Sequence, residues 1–183
     1  DLRNFTTLSE AKLPYDVVFL LNRYFTIVGQ AVEHAGGHLD KFIGDGAMAL
    51  FGLGDDAENG CRDAMKAAAT ILRDIATLNE GLEKQFSVRL DVVVGIHSGP
   101  TIVGVMGYGA AKTLTAIGDT VNVASRLESK AKEFGAAIVV SEPAIIQAGQ
   151  PIADLRSEQI VIRGRNSQMK VFLLSAEESQ RYL

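Results

Sequence analysis

Apolar side chains recur along this chain at two spacings, one typical of amphipathic helices and one typical of strands. Residues 16–34 and 55–82 carry apolar positions three or four apart, which predicts two long helices. Residues 87–96 alternate apolar and polar positions and predict a strand, while residues 38–51 predict a hairpin. Four further strands and two helices are predicted, the strands at 101–106, 136–140, 159–162 and 170–174, one helix after the cap at 118–120 and one helix from 142. This order favours an α+β domain with helices on one face of a mostly antiparallel sheet.

Composition sets bounds on this prediction. The 183 residues, 47% of them hydrophobic, are enough for a single domain over 1–183 with a sizeable core. The formal net charge of -4 and the lack of a Lys/Arg cluster argue against a nucleic-acid partner. Cys61 is the only cysteine, which excludes an intrachain disulfide and fits a reducing cytosol. No apolar run reaches 18 residues, so we expect a cytoplasmic segment that does not itself insert into a membrane.

The stretch from Lys41 to Gly46 carries the most chemical information. It holds a cation and the carboxylate of Asp45 four residues apart, and Gly44 and Gly46 flank that carboxylate. Glycines on both sides let a phosphate or a metal ion approach the main chain at the tip of the hairpin. The alternative is an ordinary hairpin with a solvated aspartate, because turn chemistry alone favours Gly and Asp.

A second chemical stretch covers residues 115–128. Gly118, Asp119 and Thr120 predict the end of a strand and the start of a helix. Asn122 and Arg126 then lie one turn apart on one face of that helix, where an amide and a guanidinium can serve one anion. The alternative is a capped amphipathic helix with a solvated arginine.

Together with three more segments, these stretches resemble the catalytic domain of class III nucleotidyl cyclases. The five segments occur in the family's order and cover nearly the whole chain: DLRNFT at 1–6, KFIGDGAMALFG at 41–52, GIHSG at 95–99, TAIGDTVNVASRLE at 115–128 and IRGRNSQMKVF at 162–172. The resemblance implies a ferredoxin-like core, βαββαβ with additions, in a head-to-tail homodimer. It also implies that each of two equivalent sites takes residues from both subunits.

The resemblance further implies a role for each matching residue. Two divalent cations, Mg²⁺ or Mn²⁺, would be held by Asp1 and Asp45, with the Leu2 carbonyl as a backbone ligand. Phosphates would be held by main-chain amides and by cations, at Asn4, Phe5, Thr6, Gly44, Arg126 and Arg163. Asn122 would orient the ribose. Asn4 departs from a glycine that many members carry, and Ala110 and Ala111 depart from an arm position that often carries arginine.

Base selection is implied by Lys41 and Thr115. Lysine as donor and threonine as acceptor match the edge of adenine and are similar to a bacterial subgroup of adenylyl cyclases. We therefore expect an adenylyl cyclase that converts ATP to 3′,5′-cyclic AMP and pyrophosphate. Two alternatives remain: a catalytically weak dimerisation module that regulates attached domains, and a guanylyl cyclase, which Lys41 and Thr115 disfavour.

The position of the first motif bears on the rest of the protein. The chain begins inside that motif, at Asp1, so we expect it to be a fragment of a longer multidomain protein. Regulatory domains upstream are then expected partners, and domains outside this chain could tether it to a membrane. The presence of both residue sets, carboxylates and base-reading residues, favours a homodimer over an obligate heterodimer.

Overall fold

The protein is described by a computed structural model that covers residues 1–54, 57–149, 151–162 and 168–183. Within these ranges the helices are α1 (Phe5–Glu10), α2 (Pro14–His34), α3 (Ala57–Phe86), α4 (Asp119–Phe134), α5 (Glu142–Gln147) and α6 (Ala176–Ser179). The strands are β1 (His38–Ile43), β2 (Gly46–Leu50), β3 (Val94–Ile96), β4 (Ile102–Met106), β5 (Thr113–Ile117), β6 (Ile138–Ser141), β7 (Arg156–Val161) and β8 (Gln168–Leu174). No helix in these ranges combines the length and the apolar character needed to cross a membrane.

The strands form one larger sheet and two hairpins. The larger sheet has the order β3-β6-β8-β7, in which β3 and β6 are parallel and the other pairs are antiparallel. The pairs β1-β2 and β4-β5 are separate antiparallel hairpins within the described ranges. The predicted α+β class with mostly antiparallel pairing is therefore confirmed.

Helices cover both faces of the larger sheet, whereas the sequence pattern led us to expect helices on one face. Ile138 and Val140 of β6 belong to a core shared with α2, α3 and α5, while Val139 belongs to a second core with α4. The reason lies in the central strands, because β6 is apolar at consecutive positions and buried throughout. Such runs are typical of strands that are covered on both sides.

The strand predicted over residues 87–96 is shorter than expected. Only Val94–Ile96 forms a strand, with one isolated bridge between Leu2 and Val92. The side-chain amide of Asn79 on α3 takes the place of a neighbouring strand at Leu90: it donates to the carbonyl at 2.9 Å and accepts from the N–H at 2.8 Å. The alternation in the sequence therefore marked buried positions correctly but did not reveal the hydrogen-bond partner.

The first three residues are fixed to the segment before β3. The Arg3 N–H donates to the Asp91 carbonyl at 2.7 Å, and the Val93 N–H donates to the Asp1 carbonyl at 2.9 Å. The Arg3 guanidinium also donates to the carbonyls of Ala131 and Ala136, where α4 ends. The beginning of the chain is thereby held against both β3 and α4.

Gly95 allows α4 to pack closely on β3. A Cβ atom at this position would overlap the carbonyl oxygen of Ala124 and the main-chain nitrogen of Glu128. These are backbone atoms of α4, so they can move only if the helix moves. Gly95, the first of the two glycines in the segment 95–99, therefore has a packing role.

Gly95→Ala is expected to lower the free energy of unfolding by about 1–3 kcal/mol, because the added methyl group pushes α4 away from β3. Gly81→Ala is the matched control: Gly81 lies in α3, and nothing lies within 4 Å of a Cβ built there. That control should raise stability by about 0.5–1 kcal/mol through helix propensity. Chemical denaturation measures both values, and equal effects of the two changes would contradict the close packing.

Candidate active site

The tip of the β1-β2 hairpin presents Asp45. Ile43 pairs with Gly46, so Gly44 and Asp45 form a two-residue turn, and Gly44 has a φ of 62°. A glycine with positive φ at the first turn position is typical of a hairpin whose twist matches its strands. The hairpin is held on α2, where the rings of Phe42 and Phe25 stack with centroids 4.0 Å apart. Asp45 is half-buried in this setting, so it is not the fully solvated turn residue of the alternative interpretation.

Asp1 lies against the same hairpin tip. A Cβ atom built on Gly46 would be 2.9 Å from Asp1 Oδ1, so the glycine leaves room for this carboxylate. The charged groups of Asp45, Glu128 and Lys132 all lie close enough to residue 1 to act on it electrostatically. The structure thus brings Asp1 and Asp45 together, as expected, and places a second acid and a lysine beside them.

Lys132 and Glu128 of α4 are site neighbours that the sequence did not reveal. The Lys132 ammonium forms ion pairs with Asp1 Oδ2 and, at 2.9 Å, with Glu128 Oε1. Glu128 and Asp45 also lie near the buried Tyr24: burial raises the pKa of Tyr24, and the charges of these two acids add to that shift. A Glu-Lys pair one helical turn apart is the pattern of an ordinary solvated helix face, so only the tertiary structure identifies its contact with Asp1.

The donor set around Asp1 and Asp45 fits a magnesium-type cation. Both candidate ligands are carboxylates, hard oxygen donors, and Gly46 leaves room for the Asp1 carboxylate at the tip. No group of three or more His, Cys, Asp or Glu residues in the described part of the chain is placed to hold a metal ion by itself. Cations of this type are commonly held by one or two carboxylates with water and substrate phosphates, so two suffice. The Leu2 side chain is buried in the core, and its backbone bridges to Val92.

The predicted phosphate-binding main chain begins at Asn4. Asn4 has left-handed dihedrals, φ 54° and ψ 26°, and lies at the N-terminal boundary of α1. Asparagine is among the few residues other than glycine that adopt this conformation, so the departure from glycine preserves the turn. Phe5 and Thr6 are the first residues of α1, where amides have no acceptor within the helix.

Helix α4 carries three kinds of side chain on three faces. Val123, Leu127 and Ala131 are buried against the sheet. At 100° per residue, the face with Asn122 and Arg126 lies about 120° to one side of that buried face. Glu128 and Lys132 lie about 120° to the other side, toward Asp1. The predicted Asn-Arg pair therefore lies on a different face of the helix from the one that contacts Asp1.

The start of α4 differs in detail from the expected cap. Gly118 is the N-cap residue without a side-chain cap, and Asp119 is the first helical residue. The Thr120 hydroxyl donates to the Pro100 carbonyl at 2.6 Å instead of capping the helix. Asn122 is exposed and Arg126 is half-buried.

Lys41 and Thr115 are brought together, although 74 residues separate them. Lys41 Nζ donates to Thr115 Oγ1 at 2.8 Å, and Thr115 Oγ1 donates to Asp40 Oδ2 at 2.5 Å. Nearby, His38 Nε2 lies 3.3 Å from the Leu114 carbonyl, a second contact between β1 and β5. Asp40, a buried carboxylate, was missed because adjacent strand residues normally point to opposite faces. Arg163, expected on the terminal phosphates, lies outside the described residues.

The sequence of this chain is similar to those of known nucleotide cyclases. The pattern of the adenylate and guanylate cyclase catalytic domain matches residues 1–176. An adenylate cyclase of Anabaena cylindrica is 32% identical over 183 aligned positions, which cover 96% of this chain and 36% of that enzyme. The chain thus spans little more than a third of the length of that relative.

Two solved structures are similar to the whole fold. The guanylyl cyclase Cya2 superposes with a TM-score of 0.85 at 26% identity, covering 94% of this chain and 87% of that one. The adenylyl cyclase CyaB from P. aeruginosa superposes with a TM-score of 0.83 at 28% identity, covering 94% of this chain and 89% of that one. With the match over residues 1–176, these likenesses confirm the resemblance: the chain belongs to the adenylate and guanylate cyclase catalytic-domain family.

Proposed function

We propose that this chain is the catalytic domain of an adenylyl cyclase, which converts ATP to 3′,5′-cyclic AMP and pyrophosphate at sites shared between two copies. The observation that carries the proposal is the 2.8 Å hydrogen bond between Lys41 Nζ and Thr115 Oγ1. It places a cationic donor and a hydroxyl oxygen side by side. The Lys41 side chain is 40% exposed, so this pair extends from the core to the surface.

This pair matches the edge of adenine better than that of guanine. Adenine presents an acceptor at N1 and a donor at N6, whereas guanine presents a donor at N1 and an acceptor at O6. Lys41 can donate to N1, and Thr115 can accept from the N6 amino group. A base with the reverse pattern would leave polar groups unpaired in the site, which strongly disfavours its binding.

The remaining residues suit the transfer of a phosphoryl group. Divalent cations, when bound, would supply Lewis-acid activation of the ribose hydroxyl and neutralise charge on the leaving pyrophosphate. Asp1 and Asp45 would hold them, and the amides of Asn4, Phe5, Thr6 and Gly44 would hold phosphate oxygens. Arg126 would bind the α-phosphoryl group and Asn122 the ribose. Arg163 is proposed for the terminal phosphates.

The faces of α4 support sites shared between two copies. Asn122 and Arg126 lie about 120° around the helix from the face with Glu128 and Lys132 beside Asp1, which favours a site that takes the two sets from different copies. A second observation is the apolar surface of the β4-β5 hairpin region, where Ile102 is 72%, Val105 68% and Tyr108 92% exposed. Exposed apolar clusters of this kind mark interaction surfaces. A second copy of the chain, related by two-fold symmetry, would cover this apolar surface. Each copy would then complete the site of the other.

The purified chain incubated with ATP or GTP in Mg²⁺ or Mn²⁺ tests the proposal directly. We expect cyclic AMP as the main product, with kcat/KM at least about tenfold higher for ATP than for GTP. Product chromatography and initial rates measure both quantities. Cyclic GMP as the main product would identify a guanylyl cyclase instead, and no product with either nucleotide would favour a dimerisation module.

Asp45→Ala is expected to lower cyclic AMP formation at least about 100-fold, because a cation ligand supplies several kcal/mol of transition-state stabilisation. The melting temperature should change little, since Asp45 lies at a turn tip and not in the core. Asp154→Ala, a change at an exposed turn aspartate before β7, is the control and should keep full activity. Near-normal activity of Asp45→Ala in saturating Mn²⁺, or a large loss of melting temperature, would contradict the cation role.

Asp45→Ala and Arg126→Ala should each be inactive alone and recover activity when mixed under subunit exchange. In a mixed dimer one site combines intact carboxylates with an intact arginine, and the other site lacks both. Random pairing makes about half of the dimers mixed, so activity should approach about a quarter of wild type. Native mass spectrometry verifies the exchange. Complete exchange without recovered activity would show that each site lies within one chain.

A further inference from the structure

Asp40 is a buried acid at an irregular position of β1. Its side chain is fully buried, and the β1-β2 register shifts between Leu39 and Lys41. In a regular strand, Asp40 and Lys41 would point to opposite faces. A bulge re-aims side chains, and here it lets both neighbours reach Thr115 on β5.

The hydrogen bonds at Thr115 leave little freedom to its hydroxyl group. A hydroxyl has one proton and two lone pairs, an ammonium group only donates, and a carboxylate only accepts. The Thr115 proton goes to Asp40 Oδ2, and one lone pair accepts from Lys41 Nζ. The other carboxylate oxygen, Oδ1, lies 3.2 Å from Lys41 Nζ in an ion pair. One acceptor site of Thr115 therefore remains for a ligand.

The Asp40 carboxylate is not placed so that each of its oxygens accepts a hydrogen bond. Within the described part of the chain Oδ1 is a buried oxygen without a hydrogen bond, and the ion pair with Lys41 is what offsets its burial. A buried carboxylate is costly unless it is paired, so a purely structural position would be filled at lower cost by an apolar side chain. A carboxylate at this position points to a role in orienting Lys41 and Thr115.

We propose that Asp40 is a positioning residue for base selection, which commits the Thr115 proton so that Thr115 offers a nucleotide base only an acceptor. This inference rests on the proposed function. A 6-amino purine donates to that acceptor, whereas the carbonyl oxygen of a 6-oxo purine meets a lone pair. Without Asp40, the Thr115 hydroxyl rotates freely and donates to either a carbonyl oxygen or water. The ratio of ATP to GTP use therefore depends on a residue that need not touch the base.

The test compares kcat/KM for ATP and GTP in the wild-type chain, Asp40→Ala, Asp40→Asn and Thr115→Val. Asp40→Ala should lower the ATP:GTP ratio by about tenfold, the effect of one lost hydrogen-bond preference. Asp40→Asn should lower it less, since its amide oxygen still accepts from Thr115 in one of two orientations. Asp154→Ala should leave the ratio unchanged.

A double-mutant cycle separates positioning from a general structural role. If Asp40 acts through Thr115, adding Asp40→Ala to Thr115→Val should change the ATP:GTP ratio by less than about twofold. A further large drop on that background would overturn the proposal. An unchanged ratio in folded Asp40→Ala would also overturn it, whatever the change in melting temperature. If Asp40→Ala does not fold, Asp40→Asn decides by the same criterion.

A measurement of nucleotide binding distinguishes a failure of this inference from a failure of the proposed function. If the wild-type chain forms cyclic AMP but the ratio does not respond to Asp40, the positioning role fails and the function stands. If the wild-type chain forms no cyclic product, the function fails, and displacement of a fluorescent nucleotide by ATP and GTP decides the role of Asp40. A preference for ATP that falls in Asp40→Asn would support the role, and equal displacement by both nucleotides would overturn it.

Discussion

The close packing of α4 on β3 determines how the candidate site residues of α4 are arranged. Because Gly95 has no side chain, the backbone of α4 approaches the strand at Ala124 and Glu128. That approach fixes the rotation of the helix about its own axis. One flank then carries Glu128 and Lys132 to the beginning of the chain, and the other carries Asn122 and Arg126 away from it. This packing contact thus places the two sets of candidate site residues on different flanks of the helix.

Two local irregularities of the backbone in the β1-β2 hairpin place the other candidate site residues. At its tip, glycines leave space beside Asp45 for the carboxylate of Asp1. In its middle, a bulge turns Asp40 and Lys41 toward the same partner on β5. A regular hairpin of the same length would present these groups on opposite faces. One short element therefore holds the expected cation ligand Asp45 at its tip and one of the two expected base-reading residues, Lys41, in its middle.

Periodicity and motif spacing predicted much of this arrangement. They indicated the two long helices and the hairpin, and the family resemblance that the ordered motifs carry implied that Lys41 and Thr115 act together. They did not predict the short strand within 87–96, because the side chain of Asn79 replaces a neighbouring strand there. Asp40 was missed because a bulge is not visible in a strand pattern. Lys132 was missed because Glu-Lys spacing on a helix is usually a surface feature.

Two lysines form ion pairs with the carboxylates of Asp1 and Asp40. Lys132 neutralises Asp1, and Lys41 neutralises the buried Asp40. Asp1 and Lys132 are both partly exposed, so their pair is expected to contribute at most about 1 kcal/mol to stability, whereas the carboxylate of Asp40 is fully buried. Pairs of that strength are easily exchanged. If the proposed cation binds, Lys132 would leave Asp1 for water, whereas the fully buried Asp40 would keep its contacts with Thr115 and Lys41. The exposed pair is thus suited to ligand exchange and the buried one to preorganisation, although both join a lysine to an aspartate.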